Sequence, residues 1–480
     1  MNGRMIARIQ GLVLLLLAAL LLLPLIAGLV YGENVRPFVL TIALAAVCGG
    51  LLTFCFKPQT TELYAKEGFA SVGLAWILMS LFGALPFVLS GDIPNYLDAV
   101  FETASGLTTT GASILTDVEG ISRSGMFWRC FTHWIGGMGV LVFVMAVLPM
   151  GEGRAMHIMR AEVPGPTVGK LVPRARKTAT ILYLIYMGLT VAETIFLLCG
   201  GMSFYDALLH AFATAGTGGF STRAASIGAF DSVYVEMVIA GFLVFFGMNF
   251  NLFYLLLIGR VKDALRSEEL HWYIGIILFS TLAIAAGICK IYGSVGTALR
   301  HAFFNTMTIS STAGFGTQDF TQWPGYIQTL LVLLMFIGGC AGSTGGGLKL
   351  SRVMLLVKTA AADVARMVRP RQVNRVQMDG RRVSRETTDA VYTHFALYML
   401  LLLGCTLIVS LDGYDFATNF TAALSCMSNI GPGLSLIGPS GNFAIFSPLS
   451  KAVMILTMLS GRLEIYAILI LFVPSTWEKR

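Results

Sequence analysis

The sequence predicts an all-α integral membrane protein: four pseudo-fourfold repeats of helix, re-entrant pore loop and helix around a central pore, preceded by an N-terminal two-helix hairpin. Three observations predict it. Of the 480 residues, 56% are hydrophobic and only 12% charged, with a mean hydropathy of +0.75, whereas soluble domains carry about 25% charged residues. The apolar residues gather into stretches of about 20, enough to cross a ~30 Å hydrocarbon core as helices. Finally, a short glycine-centred loop recurs four times between pairs of these stretches.

Ten apolar spans are expected, near residues 9–31, 39–56, 71–90, 127–148, 181–200, 234–259, 273–292, 326–349, 393–411 and 448–473. The first follows Arg4 and Arg8 but exceeds a signal peptide's apolar core of about 7 to 15 residues and lacks an A-x-A site, so it reads as a helix. The spans divide the chain into a hairpin (1–66) and repeats over 67–152, 153–268, 269–360 and 361–480, the second and fourth beginning with cytoplasmic segments. Placing both termini inside leaves 25 of the 33 lysines and arginines on the cytoplasmic side, the side such residues favour. The net charge of +7 is therefore a topology signal and does not point to nucleic acid. All eight cysteines lie in or beside apolar segments without C-x-x-C pairing, and no H-E-x-x-H or G-x-S-x-G string occurs. Disulfide, zinc and hydrolase readings fall away, and no enzyme is expected.

The four loops read SGLTTTGAS (105–113), TAGTGGFS (214–221), ISSTAGFG (309–316) and MSNIGPG (427–433). Superposing Gly111, Gly219, Gly314 and Gly431 also aligns Asp98-Ala99, Asp206-Ala207 and His301-Ala302. Repetition of this kind marks copies of one unit. Non-helical backbone at membrane depth is tolerated only where protein or water surrounds it. The ten or so residues before each glycine suit a short helix whose partially negative C-terminal end points inward, favouring a cation. The glycine admits positive φ, and a ring of carbonyl oxygens replaces the hydration shell of potassium. A secondary transporter with broken helices at a midplane site is the alternative. Four repeats running in one direction favour the pore.

The loops resemble the four filter loops of TrkH-type subunits in the Trk/Ktr/HKT superfamily of potassium uptake proteins, and the resemblance extends over nearly the whole chain, hairpin included. It implies a multi-pass potassium-translocating subunit of the bacterial cytoplasmic membrane, usually a homodimer among membrane lipid. It also implies a cytoplasmic TrkA-like RCK partner that binds ATP or NAD(H), since this chain has no nucleotide fingerprint of its own. Together with the carbonyl argument it selects the backbones of Thr109 and Thr110, Thr217 and Gly218, Thr312 and Ala313, and Asn429 and Ile430 as K⁺ ligands. Their side chains differ, so the backbone must be the ligand. Some plant relatives carry serine in place of the first filter glycine and favour sodium; Gly111 favours potassium.

Residues 338–349 read GGCAGSTGGGLK, with six glycines between Gly338 and Gly347, each costing a helix about 1 kcal/mol relative to alanine. A break is expected. The run lacks the G-x-x-x-x-G-K-[ST] spacing of a P-loop. Close helix packing is one explanation; the resemblance favours an intramembrane gate formed by Gly342, Ser343, Thr344, Gly345 and Gly346. Arg462 falls inside the last span, where a lone charge needs water or a partner. The resemblance sets it beneath the filter as a barrier to cations. A structural ion pair is the alternative, with Glu193 a possible partner and Glu464 too close in sequence to share its helical face. The ten basic residues between Lys349 and Arg385 suit either a solvated cytoplasmic face or a docking surface for the RCK partner.

Overall fold

A computed structural model describes residues 2–56, 64–139, 175–369 and 375–478. The basic segment at 154–177 lies mostly outside them, as does the distal half of the span at 127–148. Two helical stretches, Gly3–Leu20 and Leu22–Val30, form the first arm of the hairpin, and Arg36–Cys55 forms the second. A β-carbon on Gly11 would meet the Gly49 carbonyl oxygen at 2.7 Å, so the missing side chain lets the two backbones approach closely. Ile9, Val13 and Leu17 are buried, and this first helix also packs on the helix Ala65–Gly83.

The four repeats share one plan. Their first helices are Ala65–Gly83, continued by Leu85–Ser90, then Ala175–Cys199, Glu268–Tyr292 and Arg385–Val409. Those of repeats two, three and four leave leucines and phenylalanines uncovered, such as Leu184, Phe279 and Leu407, as an apolar lipid-facing stripe requires. The short pore helices are Tyr96–Leu107, Phe204–Gly216, Val295–Ser310 and Phe416–Ser428. Asn95, Ser203 and Asp415 cap the first, second and fourth of them, accepting backbone N–H bonds from Leu97 and Asp98, from Asp206 and from Thr418 respectively. These side-chain acceptors satisfy donors that the first helical turn leaves open.

The second helices differ from the expected apolar spans, of which only that at 326–349 was expected to break. Among the described residues six helices are long and apolar enough to cross a membrane, and they are the two hairpin arms and the four first helices. The second helices run Arg123–Gly137, Val233–Gly247, Gly325–Ile337 and Pro448–Arg462. The expected span at 234–259 turns by 89° between Gly247 and Phe250, where Asn249 caps the next helix. The span at 326–349 ends at the glycine run. The span at 448–473 breaks where Glu464 and Ile465 take φ of 58° and 66°. Hydropathy misses the breaks after Gly247 and at Glu464–Ile465 because the residues on both sides of each remain apolar.

The repeats close on themselves. The second helix of repeat one packs on the pore helix of repeat two, that of two on three, that of three on four, and that of four on the pore helix of one. A salt bridge from Lys451 to Asp98 at 2.7 Å ties the last contact. On the side where the glycine run lies, the helix Leu350–Val368 leads to a two-stranded antiparallel hairpin that pairs Gln377 with Arg382 and Met378 with Arg381.

Candidate functional site

The four pore helices converge on loops of one backbone conformation. Thr109, Thr217, Thr312 and Asn429 have φ of 55°, 55°, 63° and 55°, and two residues on, Gly111, Gly219, Gly314 and Gly431 have φ of 77°, 79°, 77° and 102°. Left-handed geometry is unusual for a β-branched threonine and costs of order 1–3 kcal/mol at each site. Part of that strain is offset by a hydrogen bond common to all four loops. The N–H groups of Thr110, Gly218, Ala313 and Ile430 donate to the carbonyls of Ser105, Ala213, Thr308 and Ser425, five residues back, at 2.8, 2.8, 2.8 and 3.0 Å. This is the Schellman closure of a helix end, with threonine or asparagine where glycine is usual.

The glycines show how the loops meet. A β-carbon on Gly111 would overlap the carbonyl oxygen of Gly218; one on Gly219, that of Ala313; and one on Gly314, that of Ile430. One on Gly431 would lie 2.9 Å from the carbonyl oxygen of Thr110. The sequence of neighbours, one to two to three to four and back to one, is a closed ring. It sets the carbonyls of Thr110, Gly218, Ala313 and Ile430 beside the glycines of adjacent loops. Thr109, Thr110, Thr217, Thr312, Ala313, Asn429 and Ile430 are all fully buried.

Side chains hold the ring from behind. The Thr108 and Thr110 hydroxyls bond each other at 2.7 Å, and Asn429 Nδ2 donates to Thr110 Oγ1 at 2.9 Å across the seam between repeats four and one. Ser425 Oγ donates to the Gly431 carbonyl at 2.7 Å, and Thr308 Oγ1 to the Phe315 carbonyl at 3.0 Å. Those two oxygens therefore each have a protein donor. Among the described residues no cluster of three or more His, Cys, Asp or Glu could hold a metal ion, and the oxygens gathered at the ring belong to the backbone.

Sequence reasoning missed several supports. Arg129 is buried, bonded to the fully buried Glu102 at 2.7 Å and to the Ser221 carbonyl at 3.1 Å. Glu102 accepts from the Ile114 N–H and from the Ser113 hydroxyl, both at 2.9 Å. The pair thus braces the outgoing strands of loops one and two. A buried ion pair survives when further hydrogen bonds satisfy it, as these do. His133 was also missed; its register three residues before Gly136 carries no sequence signal by itself.

The expected break between Ile337 and Leu350 is present, and the connecting loop is held on several sides. The Cys340 N–H donates to the Gly247 carbonyl at 2.9 Å, the Ala341 N–H to Glu269 Oε1 at 2.7 Å, and the Gly346 N–H to Thr312 Oγ1 at 2.6 Å. The last bond joins the loop directly to the third of the four glycine-centred loops. Gly342 accepts from the Phe250 N–H at 3.2 Å, and Thr344 donates through its hydroxyl to the Phe246 carbonyl at 3.2 Å. Ser343 caps the turn on the Cys340 carbonyl at 2.6 Å. Gly345 and Gly346 lie where β-carbons would press on the carbonyls of Ser311 and Ser428, so side chains are excluded there. Lys349, fully enclosed, donates to the Gly345 carbonyl.

Arg462 ends the second helix of repeat four and reaches the same loop. Its guanidinium donates to the carbonyls of Thr344, Gly136 and Gly137, each at 2.6 Å. Glu193 is fully buried, and neither of its carboxyl oxygens makes a hydrogen bond among the described residues. Glu464 lies past the helix break and pairs with Arg352 through both of its oxygens.

Comparison with known proteins agrees with this architecture. Residues 35–273 and 273–479 match the TrkH cation transport protein family. The chain is 38% identical to the Trk system potassium uptake protein TrkH of Salmonella typhimurium, with all of both chains covered. It is 32% identical to the Trk system potassium uptake protein TrkG of Escherichia coli, over 99% of each. The crystal structure of the potassium transporter TrkH from Vibrio parahaemolyticus superposes with a TM-score of 0.90 at 35% identity, again over the full length of both. With its family matched over nearly all its length and its four-loop ring closed, the chain belongs to the TrkH family of cation transport proteins.

Proposed function

We propose that this chain takes up potassium through the ring of filter-loop carbonyls at Thr109–Thr110, Thr217–Gly218, Thr312–Ala313 and Asn429–Ile430. The observation that carries the proposal is the closed order of glycine-to-carbonyl contacts, in which each loop's glycine leaves room for the next loop's oxygen. Uncharged oxygens on a braced backbone suit a monovalent ion that must bind and then leave. The four C-terminal pore-helix ends add negative potential at the same place.

The segment from Gly342 to Gly346 is the gate in this proposal, and Arg462 both fastens it and holds a positive charge beneath the ring. The four units are those at 67–152, 153–268, 269–360 and 361–480. The hairpin, the broad apolar exterior and the distribution of basic residues support a multi-pass chain in the bacterial cytoplasmic membrane with both termini inside. A cytoplasmic TrkA-like RCK protein that binds ATP or NAD(H) docks on the basic segment at 349–385, and the working form is a homodimer. Support for docking comes from the distal end of Leu350–Val368, where Val364, Met367 and Val368 stand uncovered beside arginines.

The test is ⁸⁶Rb⁺ uptake into proteoliposomes under imposed K⁺, Na⁺ and H⁺ gradients, with and without an ionophore. The proposal expects uptake that potassium competes for better than sodium and that the ionophore's collapse of membrane potential reduces. Solute-dependent uptake with no rubidium flux would favour the transporter alternative.

A further inference from the structure

Three filter loops carry a side chain immediately before the filter glycine, namely Thr110, Ala313 and Ile430; the second carries none, at Gly218. The reason lies on a neighbouring helix. A β-carbon on Gly218 would run into the imidazole of His133, from the second helix of repeat one. That ring is fully buried and both its nitrogens are committed. Nδ1 lies 2.8 Å from the Gly106 carbonyl oxygen, and Nε2 accepts from the Phe220 N–H at 3.2 Å. A carbonyl only accepts and a backbone N–H only donates, so Nδ1 carries the proton, Nε2 the lone pair, and the ring is neutral.

The two partners belong to different repeats. Gly106 lies in the last turn of pore helix one, and its carbonyl also receives the N–H of the left-handed Thr109 at 3.0 Å. Phe220 directly follows the second filter glycine. Its ring lies 4.1 Å from the imidazole and carries the Arg129 guanidinium at 3.6 Å. The helix bearing His133 is wedged here, because a β-carbon on Gly136 would strike the Leu107 carbonyl and one on Gly216 the His133 carbonyl. Repeat four has an equivalent wedge, where Gly461 faces the Met427 carbonyl. Three residues before Gly461 stands Met458, whose side chain cannot bridge a carbonyl and an N–H.

We propose that His133 is a positioning residue for ion selectivity: its ring fills the place of the side chain that Gly218 lacks and fixes the spacing of filter loops one and two. This rests on the filter assignment above. A histidine with a merely structural role would change the amount of folded protein and leave discrimination between ions untouched.

The test measures the K⁺ to Na⁺ preference of ⁸⁶Rb⁺ uptake per folded molecule in the reconstituted full chain. The variants are His133→Ala, His133→Asn, Gly218→Ala and the double change His133→Ala with Gly218→Ala, and Gly111→Ser serves as a filter control. His133→Ala is expected to lower the preference about fivefold, roughly the worth of one lost buried hydrogen bond. His133→Asn, whose amide N–H can still reach Gly106, should retain part of it, and it carries the decision if the alanine variant does not fold. Gly218→Ala should lower the preference by itself, and the double change should recover it in part because the methyl enters the space the ring has left. Wild-type preference in the His133 variants, or a double variant no better than Gly218→Ala, overturns the proposal when Gly111→Ser shifts the preference. If Gly111→Ser also leaves the preference unchanged, the filter assignment itself fails and the role of His133 with it.

Discussion

At the scale of single residues, Gly111 marks both what the sequence reveals and where it stops. It was legible because the same glycine returns at three other positions in register, and only glycine accepts φ near 77° against a neighbour's carbonyl at no cost. Replacing it with serine forces a β-carbon onto the Gly218 oxygen. The strain, of order 1–3 kcal/mol, falls on one quarter of the ring, so the K⁺ to Na⁺ uptake ratio should drop by roughly tenfold while the protein still folds. An unchanged ratio in folded protein would remove Gly111 from the filter. The left-handed Thr109, Thr217, Thr312 and Asn429 were not legible, because their residue types argue against that conformation and only the helix-end hydrogen bonds make it tolerable. Arg462 was legible as an isolated charge in an apolar span, but its acceptors were not, since they are backbone carbonyls from two other repeats. Arg462→Ala removes both the charge and the fastening of Thr344, so uptake per folded molecule should rise, by an amount on the order of tenfold if about 1.4 kcal/mol of barrier is lost. Arg462→Lys keeps the charge and loses the planar fork, and its flux should stay closer to wild type. Lower flux per folded molecule in the alanine variant, with lysine no better, would refute the barrier.

At the scale of elements, the first helices and the pore helices were legible and the second helices were not. A first helix is one apolar run with lipid on its outer side, and hydropathy finds it. A second helix ends in the protein interior, where apolar residues continue past the break and local chemistry decides. Gly136-Gly137, Gly247 and Gly461 each stand at the stop, but one or two small residues are common in membrane helices, and only the six glycines at 338–347 were dense enough to predict a break. That loop begins and ends at one place, since a β-carbon on Gly347 would lie 2.9 Å from Gly338 Cα. Deleting Gly342 to Gly346 can therefore shorten it without pulling apart the helices on either side. The deletion removes the Gly346 bond to Thr312 and the Thr344 bond to Arg462 while leaving the carbonyl ring in place. Basal ⁸⁶Rb⁺ flux should rise at matched protein abundance, with K⁺ still preferred over Na⁺. Lower flux than wild type would turn the glycine run into a packing element.

At the scale of the whole molecule, the likeness that all four repeats share in sequence lies at the glycine-centred loops that form the ring. Loops of 108, 95 and 117 residue spacing arrive at one backbone geometry because each is set by a pore-helix end, a shared five-residue hydrogen bond and a glycine turned toward its neighbour. The departures from fourfold symmetry also group sensibly. His133 and the Arg129–Glu102 pair brace loops one and two, Asn429 crosses from loop four to loop one, and the glycine run meets loop three through Thr312. The central claim is that the carbonyls of Thr110, Gly218, Ala313 and Ile430 surround the ion, and anomalous diffraction from crystals of this chain grown with Rb⁺ or Tl⁺ tests it most directly. The account predicts an anomalous peak on the axis enclosed by those four oxygens, lost or weakened in Gly111→Ser. Ordered anomalous density at another site, with none inside the ring of a protein that still takes up ⁸⁶Rb⁺, would contradict it.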